Sequence, residues 1–219
     1  ERSGRSKILG VLTHAGHSYA TRTPAAAAVV AEAERVAAVT AGQRLRDAGF
    51  ETPIISVGST PTATHGVTFD GVTEIRPGVY VFQDMFQAGI GSCSINALAL
   101  SVLASVIAIH RDRGTFMLDA GGLALSKDRS TADSDFDPGF GQIADLSGAL
   151  LPGIRVNGVH QEHGEVRVED PALLATLSVG TKLRVFPNHA CMTAAAYEVY
   201  NVVDGGVEVV DQWIRCNGW

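Results

Sequence analysis

Residues 8–58 read ILGVLTHAGHSYATRTPAAAAVVAEAERVAAVTAGQRLRDAGFETPIISVG, and this stretch decides the fold. ILGVLTH (8–14) is a short apolar run that ends in polar residues, the mark of a parallel strand buried on both faces. AAAAVVAEAERVAAVTAGQRLRDA (25–48) is an alanine-rich helix. Pro24 pre-sets its first turn and Gly49 follows its end. PIISVG (53–58) predicts the next strand and GVYVF (78–82) another. Strands that alternate with helices build a parallel sheet or a β/α barrel.

Beyond residue 93 the pattern changes. LALSVLASVIAIH (98–110) and TFMLDAGG (115–122) are rich in branched apolar residues. IRVNGVHQEHGEVRVE (154–169), TKLRVF (181–186) and YEVYNVVDGGVEVVDQWI (197–214) alternate as half-buried strands do, with Asp-Gly-Gly at 204–206 as a hairpin turn. The acidic, glycine-rich stretch 127–148 reads as a long loop. The expected architecture is α/β plus β. Residues 1–93 form part of a TIM-like β/α barrel, and residues 94–219 form an antiparallel β domain. Charge divides at the same place. Residues 1–93 carry 8 Lys and Arg against 8 Asp and Glu, and residues 94–219 carry 9 against 15, so the net charge of −6 belongs to the second part.

With 219 residues, 46% of them hydrophobic, the chain can bury a sizeable core. No run is long and uncharged enough for a membrane span, and the opening ERSGRSK (1–7) lacks the apolar segment of a secretory signal. Three cysteines, at spacings of 98 and 25, do not make a disulfide framework and point to a reducing cytoplasm. Nothing resembles the basic, aromatic-studded surface that nucleic acid requires. The expected partner is a small molecule.

Four short clusters carry potential chemistry. THAGHSY (13–19) follows the first strand, where barrel enzymes place site residues, so His14, His17 and Tyr19 either enter a site or line a loop. VGSTPT (57–62) follows the second. Gly58, Ser59 and Thr60 suit a phosphate, and the same residues suit an ordinary turn. In EIRPGVYVFQDMFQ (74–87), Tyr80 and Phe82 share one face of the expected strand, and Asp84 stands at its exit.

PNHAC (187–191) is the fourth. If it is extended, His189 and Cys191 point to one side and can share an ion, zinc being suited to an imidazole nitrogen and a thiolate. Two ligands are fewer than a structural zinc site uses, and a buried cysteine beside a polar histidine is the competing reading. Glu162 and His163 occupy a turn between alternating strands, and His163 is a further candidate for the metal region.

These clusters occur together in an order that resembles the eukaryotic-type D-serine dehydratases and the related D-threonine aldolases. LGVLTHAGHSY, SVGSTPT, EIRPGVYVFQD, DAGGLALSKD, QEHGEV and PNHACMTAAAYEVYNVVDG carry the resemblance, which extends from about residue 7 to Trp219. It implies a pyridoxal 5'-phosphate enzyme of the alanine-racemase fold with zinc beside the cofactor. It assigns His189 and Cys191 to zinc and Gly58, Ser59 and Thr60 to the cofactor phosphate, with His17, Tyr19 and Tyr80 lining the cofactor pocket. It also implies a homodimer acting on a small D-amino acid. Cys191, where aldolases carry aspartate, and TAAAYEVYNVVD (193–204) favour D-serine dehydration to pyruvate and ammonia.

One departure is large. The family's Schiff-base lysine lies on the first barrel strand, and none of Lys7, Lys127 and Lys182 matches it. The catalytic lysine is therefore unassigned. The expectation is the C-terminal part of a longer enzyme, inactive alone and with exposed strand edges, since a few strands cannot close an eight-stranded barrel. Metal-dependent cleavage of D-threonine and related D-3-hydroxy amino acids is the second expectation. A non-catalytic cofactor- or metal-binding remnant is the third.

Overall fold

The computed structural model describes residues 6–132 and 134–216. Most of the charged opening (1–5), Asp133 and the last three residues of the resemblance (217–219) lie outside the described residues. The chain divides into two compact units, Glu1–Val81 with Ile90–Ser94, and Phe82–Gly89 with Ile95–Trp219.

The first unit contains β1 (Gly10–Leu12), α1 (Pro24–Asp47), β2 (Ile54–Val57), α2 (Thr60–His65) and β3 (Glu74–Ile75). The strands form a parallel sheet in the order β1-β2-β3, with Gly10 opposite Ile54 and Ser56 opposite Glu74. The Thr23 hydroxyl caps α1 by accepting the Ala26 amide at 3.2 Å, with Pro24 in the first turn. Buried positions Ala27, Ala31, Glu34, Ala38 and Gly42 recur every three or four residues and make one stripe. Small side chains along it let the helix lie close to β2. A Cβ at Gly42 would collide with the Ile55 side chain.

The strand expected over 78–82 does not form. Val79–Val81 is a single 3₁₀ turn, whose Val81 amide donates back to Gly78 O at 3.5 Å after the Pro77-Gly78 break. Tyr80 and Phe82 therefore do not share a strand face. Residues 82–89 are drawn into the second unit by long-range bonds: Ala99 N donates to Phe82 O at 2.8 Å, and Phe86 N to Asn188 O at 3.0 Å.

In chain order the second unit contains α3 (Met85–Gly89), β4 (Val102–His110), β5 (Thr115–Leu118), α4 (Gly122–Leu125), β6 (Gly141–Ala144), β7 (Leu150–Val159), β8 (Gly164–Arg167), α5 (Pro171–Thr176), β9 (Lys182–Pro187), α6 (Ala190–Ala195), β10 (Val199–Val203) and β11 (Val209–Ile214). Six strands close into an antiparallel barrel, β4-β5-β8-β7-β6-β9, with β9 pairing back to β4. The sequence pattern announced antiparallel strands but not closure. β6 is the reason: it lies inside the stretch read as a loop, and it joins β7 to β9.

Along β4, Val102, Ala104 and Val106 face inward while Leu103 and Ile107 face out, the period of two that the apolar run concealed. Phe116, Leu118, Ile143, Val156, Val166 and Val185 are almost fully buried. Their burial stabilises the barrel by on the order of 10 kcal/mol before chain entropy is subtracted. β10 and β11 form a separate antiparallel hairpin around the Asp204-Gly205-Gly206 turn. Among the described residues, no helix is long and apolar enough to cross a membrane.

Candidate functional site

Two clusters of polar side chains stand out, one in each unit. The first gathers where β1 and β2 end. Glu34 is its hub, a buried carboxylate on the stripe of α1 that faces the sheet. Its Oε1 accepts from Thr13 Oγ1 at 2.9 Å, Ala15 N at 3.1 Å and Gly58 N at 3.1 Å, and its Oε2 accepts from Thr62 Oγ1 at 3.0 Å. One side chain thus ties the segment after β1 to the loop after β2. A carboxylate is needed because every partner is a donor.

Gly58 has φ +143°, and a Cβ there would lie 2.6 Å from Arg76 N, so only glycine fits without distortion. Its carbonyl accepts from His14 Nδ1 at 2.8 Å. Ser59 is engaged within the loop. Its hydroxyl meets Ser18 Oγ at 2.8 Å and forms a capping box with Thr62 at the start of α2. Thr60 differs: its Oγ1 is buried and without a hydrogen-bond partner. Of the expected phosphate residues, Gly58 and Ser59 shape the loop, and Thr60 carries the available donor.

Tyr19 sits on the 3₁₀ turn Gly16–Ala20, with its ring centroid 6.0 Å from that of His14. His17 lies on the same turn and is exposed, as is Tyr80 on the turn after β3. Among the described residues, neither His17 nor Tyr80 hydrogen-bonds to this cluster.

The second cluster surrounds the end of β9. Residues 188–192 are not extended. Asn188 leaves the strand, His189 is the N-cap of α6, and Cys191 lies in the first helical turn. The two side chains still meet. A hydrogen bond with Cys191 is the largest cause that raises the His189 imidazole to about 9, against the opposing effect of burial, with further help from the Cys191, Asp84 and Asp128 charges and bonds. His189 Nδ1 lies 2.9 Å from Asp128 Oδ2.

Asp84, read from the sequence as a strand-exit residue, precedes α3. Its Oδ1 accepts from Gln87 N at 2.8 Å and its Oδ2 from Ala190 N at 2.9 Å. Burial pushes its carboxyl pKa up, and those two amides hold it down in part. Asn188 is also buried. Its Nδ2 donates to Thr131 Oγ1 at 2.6 Å and Gly139 O at 2.7 Å.

Among the described residues, no three His, Cys, Asp or Glu side chains gather as a complete metal cage. His163 is exposed, and its carbonyl accepts from His160 N in the turn before β8. Of the three lysines, Lys7 pairs with Glu51, Lys182 with Ser105 Oγ, and Lys127, next to Asp128, is exposed. Among the described residues, Cys93, Cys191 and Cys216 form no disulfide. Sequence reasoning missed Glu34 and Asp128. Glu34 carried one signal, a charge in register with the small-residue stripe of a helix.

The family model described as "Putative serine dehydratase domain" matches residues 99–203. D-threo-3-hydroxyaspartate dehydratase of Delftia sp. (strain HT23) is 46% identical over 222 residues, covering 99% of this chain and 58% of that protein. D-serine dehydratase of Dictyostelium discoideum is 30% identical, covering 96% of this chain and 54% of that protein.

Residues 99–203 belong to the serine dehydratase domain family.

The chain spans little more than half the length of these relatives. Two solved variants of D-threo-3-hydroxyaspartate dehydratase superimpose on it with TM-scores of 0.91 and 0.90, at 44% and 46% identity. Each covers the whole of this chain, which in turn spans 58% and 57% of them. The first carries a cysteine-to-alanine replacement and is described as metal-free. The second carries a histidine-to-alanine replacement two positions earlier. His189 and Cys191 have the same spacing.

Proposed function

We propose that this chain carries the zinc site and the phosphate-binding loop of a pyridoxal-phosphate-dependent dehydratase acting on D-3-hydroxy amino acids, D-serine among them. The placement of His189 at the N-cap and Cys191 in the first turn of α6 carries the reading. An imidazole and a thiol side by side are a donor pair suited to zinc, and two protein ligands leave positions for water and substrate. The same His-x-Cys spacing in the variants of the related dehydratase supports it.

The phosphate loop fits as well. Gly58 keeps the backbone free of a side chain, and the unpartnered Thr60 hydroxyl is a donor for an anionic oxygen. In this reading the β1-β2-β3 sheet is part of a β/α barrel, residues beyond about 93 form the β domain, and His17, Tyr19 and Tyr80 line the cofactor pocket.

Bound pyridoxal phosphate would supply the electron sink for Cα deprotonation, and bound zinc the Lewis acid that makes the substrate hydroxyl a tolerable leaving group. The chain's own residues do the holding. Glu34 and His14 fix the loop that presents Thr60, His189 and Cys191 grip the ion, and Asp84 anchors the helix start on which both ligands depend. Loss of water from D-serine then leads to pyruvate and ammonia.

The test is a zinc assay on the purified protein and its Cys191→Ala variant, with release of 2-oxo acid and ammonia followed from D-serine and from D-threo-3-hydroxyaspartate. One zinc per chain in the parent and none in the variant is expected, with activity following zinc. Equal zinc in both would refute the assignment. Glycine and an aldehyde as products would replace dehydration by carbon–carbon cleavage.

A further inference from the structure

We propose that Asp128 is a positioning residue for His189, holding the imidazole in the tautomer that leaves Nε2 available to the ion beside Cys191. This rests on the zinc reading above and deepens it. Asp128 Oδ2 lies 2.9 Å from His189 Nδ1. A carboxylate only accepts, so Nδ1 carries a proton, and the opposite ring nitrogen is the one that can give up its proton and offer a lone pair to a metal. Histidine ligands in metal sites are oriented in this way by a second group on the other ring nitrogen.

The backbone shows that Asp128 is placed there by construction. α4 ends at Leu125, and the next residue, Ser126, has φ +68° and ψ 170°, a conformation that a side-chain-bearing residue adopts at a cost. Ser126 Oγ then accepts the Asp128 amide at 2.9 Å, closing the turn that aims the carboxylate.

The same turn is tied to the segment bearing the ligands at two further points. Thr193 Oγ1 donates to Leu125 O at 2.9 Å, and Tyr197 OH donates to Ala124 O at 3.2 Å. Leu125 and Thr193 are buried, so this junction is rigid. The Asp128–His189 pair itself is partly exposed, at 45% and 29% of the side chains. Such a pair contributes little to folding, which leaves orientation as its role.

The test uses the parent protein and the Asp128→Ala, Asp128→Asn and Cys191→Ala variants, stripped of metal. Each is titrated with Zn2+ against a chromophoric chelator and then loaded with Co2+ for absorption spectroscopy. Asp128→Ala is expected to raise the zinc dissociation constant about 10–100-fold. Asp128→Asn keeps an acceptor without the charge and should fall between. Melting temperatures of both should stay within about 2 °C of the parent. The cobalt–thiolate charge-transfer band should persist while the ligand-field bands shift.

Parent-like affinity and bands in Asp128→Ala, with binding abolished in Cys191→Ala, would overturn the role of Asp128 alone. A loss of affinity that merely tracks a lower melting temperature, with unshifted cobalt bands, would also overturn it. No zinc uptake by the parent, or parent-like uptake by Cys191→Ala, would overturn the zinc reading and this proposal together.

Discussion

The carboxylate of Asp84 accepts the backbone amide of Ala190 at 2.9 Å, joining residues 106 apart in the chain. Its other oxygen holds Gln87 N, so one buried side chain fixes the starts of both α3 and α6. Asp84→Ala leaves two buried amides without partners, and each orphaned donor costs about 1–3 kcal/mol. A fall of about 2–4 kcal/mol in unfolding free energy is expected in urea. Zinc affinity should fall with it, because His189 immediately precedes Ala190. Asp84→Asn keeps one acceptor oxygen and should lose less.

Helix propensity and tertiary structure make opposite forecasts for Glu34→Ala. Alanine is the better helix former, so α1 alone would gain a few tenths of a kcal/mol. In the folded unit the change removes the acceptor of four donors, from Thr13, Ala15, Gly58 and Thr62, of which Thr62 keeps a second acceptor in Ser59 O. A net loss of about 3 kcal/mol or more is expected from the urea midpoint. An unchanged or raised midpoint would show that Glu34 does not organise the loop.

Thr60→Val separates stability from binding. The Thr60 hydroxyl is buried and unpartnered, so replacing it with a methyl group of similar shape should leave the melting temperature of the cofactor-free protein unchanged or slightly higher. Affinity for pyridoxal phosphate, measured by equilibrium dialysis, should drop about tenfold, the worth of one hydrogen bond to a charged oxygen. Undiminished affinity would remove Thr60 from the phosphate site.

Acid sensitivity should trace in part to Asp137. A hydrogen bond from Arg129 is the main cause that lowers its carboxyl pKa to about 2, helped by Gly139 N and Thr131 Oγ1, both at 3.0 Å. The folded value is depressed, so the stabilisation is fully present above the ordinary 3.8 and disappears as pH falls towards 2. About 1–2 kcal/mol is at stake, given the partial exposure of Arg129. Asp137→Asn should flatten the dependence of stability on pH between 4 and 2. A parent-like slope in that variant would assign the acid response elsewhere.

Part of this was legible in the residues themselves. The α1 boundaries, the first two parallel strands and the alternation of β7, β8 and β9 follow from local periodicity and from proline and glycine at helix ends. The His189–Cys191 pair was legible too, for a partly mistaken reason. An extended strand brings residues i and i+2 to one side, but here the same pair meets across an N-cap and the first turn of α6. The four-residue β6 was misread because it is a strand only through its distant partners β7 and β9, and the 3₁₀ turn at 79–81 because an apolar run of that length is ambiguous in sequence.

By itself, then, the sequence determined which segments bury one face and which short-range groups carry donor chemistry, because both are written in spacings of two to four residues. Tertiary structure alone decided that six strands close on one another, that Glu34 stitches two strand ends, and that Asp84 and Asp128 brace the histidine–cysteine pair. Those contacts join residues 19 to 106 positions apart, and no local period encodes them. They form only once the helix stripe and the barrel interior have been buried and every hydrogen-bonding group left inside must find a partner.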